Sequence, residues 1–248
     1  MSIIILPTAT AGKKNCLQII QEAMSRLGMP QPSIVNSSTD PAVLQMLSLL
    51  NEEGTELSER YSWQALTNIA QFTTVAAEIQ GTIEGLAPGL RFILNDTIWN
   101  RTLRRPIFGP LSAQQYEMQK AAYINGPWNQ YRIFGGNLNI YPIATAGHTC
   151  NFEYVTRNWA SDVTGTVGKE YFSADDDIAL VSSNLLILGL IWRWRSAKGL
   201  AFDVDYQKYE TKFKTISSRD ASKPIINMGD AQYDIIPGVF IPAGNWGL

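Results

Sequence analysis

The chain has 248 residues, 45% of them hydrophobic, which is enough for one large domain or two small ones with a genuine core. Its 20 lysines and arginines nearly balance 22 aspartates and glutamates, so the field of the whole molecule gives no grip on nucleic acid. Cys16 and Cys150 are too few for a disulfide framework, and Ser2 to Leu6 lack the basic region of a secretory leader, so synthesis in a reducing cytoplasm is expected.

Changes of period divide the chain into helical 1–63, strand-and-turn 64–172, helical 173–219 and an extended arm over 220–248. The fold class expected is therefore α+β: an antiparallel helical bundle, discontinuous in sequence, with an inserted antiparallel, sandwich-like β region. The first helix runs from Asn15 to Leu27, with Leu17, Ile20, Ala23, Met24 and Leu27 on one face and Gly28 ending it before Pro30. Asp40 caps the second and Pro41 occupies its first position, where a missing N–H costs nothing. Val43, Leu47, Leu50, Leu57 and Tyr61 then form an apolar stripe that includes Gly54, where another backbone is expected to approach closely.

From Thr67 the period becomes strand-like, and Gly81, Gly85, Pro88 and Gly89 punctuate it. A short helix is expected over Ser112 to Ala122, a hairpin over Tyr131 to Tyr141 and a further strand over Cys150 to Val155. The returning helix is expected to start at Ser173, with Asp176 at capping-box spacing and Asp175 to Asp177 at the positive end of its dipole. Ile178, Val181, Leu185, Leu188 and Trp192 continue at helical spacing. Unbroken to Ser217, such a helix would be about 66 Å long, with Gly199 as the place for a bend. The uncharged stretch Ile178 to Trp192 is shorter than the roughly 20 residues a membrane span needs and reads as a buried helix.

Residues that could carry chemistry are sparse. His148 is the only histidine and falls in a Gly-His-Thr turn, so it reads as a surface residue. Cys16 and Cys150 read as small apolar fillers, and the Asp175–Asp177 run as a dipole partner rather than a metal site. No nucleotide, hydrolase or metalloprotease motif is present, so the expectation is a non-enzymatic protein without cofactor or metal. Arg101, Arg104 and Arg105, near Trp99, form the densest basic cluster, open to three readings: DNA contact, inter-subunit pairing or a solvated loop. In IWRWR, helical geometry splits Trp192 and Trp194 from Arg193 and Arg195, whose arginines are expected to reach carboxylates on a neighbouring helix. The arm carries Ile235, Ile236, Val239, Phe240, Ile241 and Trp246 among prolines and glycines. Such a segment either wraps its own domain or docks on another chain, and docking is the preferred reading.

This layout, together with LLNEEGTELSERYSWQAL from Leu49 to Leu66 and GGNLNIYPIATAGHTCNFEYVTRNW from Gly135 to Trp159, resembles the head-to-tail adaptor (tail tubular protein A) group of short-tailed bacteriophages. The resemblance covers Pro41 to Lys214. It implies a structural virion protein, a dodecameric ring that joins the portal to the tail nozzle or tail fibre proteins and leaves a channel through which double-stranded DNA passes. Leu47, Leu50, Leu57, Leu185, Leu188 and Trp192 would pack its subunits, and the arm would clamp the portal. The alternative is a module that uses the arm to bind a single partner, viral or not.

Overall fold

Asn15 begins the ordered architecture by closing a capping box: its side chain accepts from the Gln18 N–H at 2.8 Å, and the Gln18 side chain accepts from the Asn15 N–H at 3.2 Å. The computed structural model describes residues 13–122 and 128–220. Helix α1 (Cys16–Arg26) ends in a Schellman motif, with Gly28 at φ +71° and the Met29 N–H bonded to the Met24 carbonyl at 2.9 Å. Helix α2 (Pro41–Arg60) has the Asp40 cap, whose carboxylate accepts from the Ala42 N–H at 2.9 Å. A 3-10 turn (Gln64–Leu66) leads into β1 (Thr67–Thr73).

There follow β2 (Ile79–Thr82), the single turn α3 (Ile83–Leu86), β3 (Leu90–Ile93), β4 (Trp99–Asn100), β5 (Arg105–Pro106) and α4 (Ala113–Ala121). The chain continues through β6 (Gln130–Phe134), β7 (Asn137–Tyr141), β8 (Thr149–Thr156), β9 (Ala160–Ser161), β10 (Gly168–Lys169) and β11 (Ile178–Ala179), then α5 (Ser183–Ala197) and α6 (Asp203–Asp220). The class is α+β, and the strand pairs within the sheets are antiparallel. One sheet has the order β1-β8-β4-β5, with β3 also on β8; the others are β2-β7-β6 and β10-β9-β11.

Two apolar cores result. The first gathers Ile19, Ile20 and Met24 of α1, Met46, Leu50 and Leu57 of α2, Leu185, Leu186 and Leu190 of α5, and Tyr209 and Phe213 of α6. Helix α5 is apolar nearly all round because it packs against α1, α2 and α6. The second joins Ala70 and Phe72 of β1, Cys150, Phe152 and Tyr154 of β8, and Leu138 and Ile140 of β7. Strand alternation sends Cys150, Phe152 and Tyr154 into this core, while Val155 reaches the helical one, so β8 serves both.

The returning helix departs from expectation. Residues 173–182 are not helical: Ile178 and Ala179 form β11 against β9, and α5 starts only at Ser183. Asp176 therefore makes no capping box. Asp175 accepts from the Val35 and Asn36 N–H groups at 3.0 and 2.8 Å, and Asp177 from those of Ser173 and Ala174, each at 2.8 Å. Gly199 ends the helix instead of bending it. Its φ of +68° and the 2.9 Å bond from the Leu200 N–H to the Arg195 carbonyl complete a second Schellman motif, and α6 is a separate helix. At Gly54 the close approach is by a side chain, the indole of Trp159, which a Cβ would strike.

Candidate functional site

Within the helical core, the α2 sequence NEEGTE brings Glu52, Glu53 and Glu56 to face Arg193 of α5. The Arg193 Nε donates to Glu53 at 2.6 Å and Nη1 to Glu52 at 2.5 Å, and Nη2 binds Glu56. Glu53 is fully buried, and it fits because residue 189 is glycine; a Cβ there would collide with its carboxyl group. Burial pushes the Glu53 carboxyl above its ordinary pKa, and neighbouring Tyr209 and Arg193 only partly oppose this. Arg195 turns the other way, to Asp205 of α6 at 2.6 Å. The two arginines thus tie α5 to α2 and α6, while Trp192 packs against Phe202, Tyr206 and Tyr209.

Of the six apolar residues expected to pack subunits, three are sealed within the chain. Leu50, Leu57 and Leu185 are fully buried inside this chain, where no second copy can touch them. Leu47, Leu188 and Trp192 are half-buried against the same core. The stripe on each helix is satisfied by its own neighbours, because α5 supplies the apolar face that α2 needs. Ile235, Ile236, Val239, Phe240, Ile241 and Trp246 of the expected docking arm lie outside the described residues.

At the far end of the β region the structure brings Arg101, Arg104 and Arg105 together on the β4–β5 turn, all exposed. The turn is held from below. The Arg101 N–H donates to the Thr149 carbonyl at 2.8 Å, the Thr149 N–H to the Thr102 hydroxyl at 3.0 Å, and the Leu103 N–H to the buried Asn100 side chain at 2.9 Å. Large apolar side chains of the same segment, or packed on it, also stay open: Trp99, Leu103, Phe108 and Trp128 are 40–46% exposed. The Phe108 and Trp128 rings meet edge-on at 5.8 Å, with the Arg105 guanidinium 5.7 Å from the Trp128 ring. The sequence reading paired the arginines with Trp99 alone. Phe108 closes the same NRTLRRPIF segment, whereas Trp128 comes from far along the chain, brought in beside the bridge between Phe108 and Gln130.

The remaining candidates are buried or engaged within the fold. Burial, with Asp175 and Asp177 nearby, pushes the Cys16 thiol up to about 12, and burial takes Cys150 to about 11, so neither forms a thiolate readily. His148 contacts the Asn100 amide at 3.3 Å beneath the arginine turn. Asp175 and Asp177 spend their oxygens on backbone N–H groups and, for Asp177, on Lys169 at 2.6 Å. No described helix is long and apolar enough to cross a membrane. No protein-family model and no curated protein matches the sequence.

Proposed function

We propose that this chain is a structural virion protein, one subunit of a dodecameric adaptor ring that joins a capsid portal to a tail and borders the channel for DNA ejection. In this reading α1, α2, α5 and α6 form an antiparallel bundle, the β region is a sandwich-like insertion facing the nozzle or fibre proteins, and the arm clamps the portal. The protein acts by packing, without catalysis or cofactor, at the head-tail interface of a particle assembled in the host cytoplasm. Its near-neutral charge of −2 suits a conduit, since a strongly basic wall would hold the genome through counterion release.

The observation that supports the reading is where the two stretches carrying the adaptor resemblance meet. Trp159, which ends the second stretch, lies with its indole on Gly54 in the middle of the first, and β1 and β8 pair in register just beyond. The test is light scattering on the purified chain with the portal protein encoded beside it. A mass gain of one adaptor per portal subunit is expected; a one-to-one complex with a single chain would instead favour the single-partner module. Deleting the residues after Arg219 should leave a folded protein that no longer binds the portal, and retained binding would overturn the clamp.

A further inference from the structure

Two exposed patches of opposite charge lie on different parts of the fold. On α2, Glu52, Glu56 and Glu59 recur at steps of four and three residues and so share one face of the helix. Glu52 and Glu56 keep 59% and 51% of their side-chain surface exposed, and Glu59 is exposed too. Arg193 offers one positive charge to Glu52, Glu53 and Glu56 together. Arg91 binds the main-chain carbonyls of Ser58 and Glu59, and no described side chain forms an ion pair with the Glu59 carboxylate. This face keeps a surplus of negative charge.

The β4–β5 turn is the counterpart. Among the described residues, neither Arg101 nor Arg104 forms an ion pair. Arg104 sits at φ +55°, a left-handed conformation that glycine or asparagine adopts at less cost. Strain of this kind at an exposed turn points to a role for the side chain itself. A segment that exposes arginines together with Trp99, Phe108 and Trp128 has the composition of a protein-binding hot spot.

We propose that the arginine turn of one copy docks on the Glu52–Glu56–Glu59 face of α2 in a second copy of this chain. Arg101 and Arg104, which pair with no described carboxylate, meet Glu59, which pairs with no described cation, and Glu52 and Glu56, which share a single arginine. The two surfaces differ, so the contact is head-to-tail and repeats around a ring or along a filament. Beside Glu59 a groove of about 420 Å³, where Thr55, Leu90 and Tyr171 stand with Arg91, Arg157 and Glu170, gives a concave seat to the aromatic rim rather than to the arginines. The inference rests on the ring reading above and names the surfaces its copies use.

The test is sedimentation of the full chain at low and high salt, with variants matched for fold by circular dichroism. Wild type should assemble and weaken as salt screens the contact. R101E/R104E, and separately E59K, which spares the Arg193 cluster, should associate at least about tenfold more weakly. R101E/R104E mixed with E56K/E59K should assemble again, because each reversed surface then finds its complement. Wild-type assembly by R101E/R104E would overturn the contact and leave the ring standing. Should wild type sediment only as its 27.6 kDa monomer, the same variants are compared on the portal, where unchanged loading of R101E/R104E overturns the contact and lost loading rescued by mixing supports it. A protein that self-associates in this pattern but never binds the portal would overturn the adaptor reading alone.

Discussion

Arg193 and Arg104 belong to two regions that treat a guanidinium in opposite ways. In the helical core Arg193 is 8% exposed and surrounded by three carboxylates from one helix turn of α2. At the β end Arg104 stands in solvent on a strained turn. A buried cation without partners is costly, so the first arrangement specifies how α2 and α5 register. An exposed cation contributes little to folding, so the second is free to serve binding.

The largest expected effect tests the buried side of this contrast. Arg193→Ala strands Glu53 in the core and should cost about 3–5 kcal/mol in chemical denaturation. The double change Arg193→Met with Glu53→Leu should recover much of that loss; a single variant as stable as wild type would show that the cluster does not hold the helices.

Next comes Asp177→Asn, which weakens bonds to Lys169 and to the Ser173 and Ala174 amides and should cost about 1.5–3 kcal/mol at neutral pH. Burial works against the Asp177 carboxylate, but Lys169 and those amides outweigh it and hold its pKa below the ordinary aspartate value. A depressed folded-state pKa gives stability that is fully present above the unfolded value, about 3.9, and is lost as pH falls through the folded one. The gap between wild type and variant should therefore close in acid, which denaturation midpoints measured across pH 2–6 would reveal. Gly54→Ala forces a methyl into the Trp159 indole and should cost about 1–3 kcal/mol, read as a lower melting temperature.

The smallest effects belong to the exposed arginines. Arg101→Glu should change stability by no more than about 0.5 kcal/mol. Arg104→Gly should leave the fold as stable or raise its stability by up to about 1 kcal/mol, because glycine accepts the left-handed turn. A large loss in either would mean that the turn is part of the folding core.

Elements fixed by local chemistry were legible in the sequence. The start of α1 beside Asn15, the Asp40 and Ser112 caps, the Gly135-Gly136 hairpin and the alternation of β8 all lie where their residues indicate. The start of the returning helix was not legible. Ile178 and Val181 continue the spacing of α5, but their backbone is claimed from far away: Asn15 bridges Ile178, and the Leu180 N–H bonds the Trp159 carbonyl at 2.9 Å. A two-residue strand has no period of its own to oppose a helical pattern. The arginine cluster and Trp99 were visible in the sequence, but Trp128 was not, since tertiary contact brings it to Arg105.

Strand β8 runs without a break from one core into the other, and its seven paired residues with β1 keep that register to the point where Val155 enters the helices. A pull on the arginine turn is therefore carried into the helical layer along a strand loaded in shear, with many hydrogen bonds sharing the force at once.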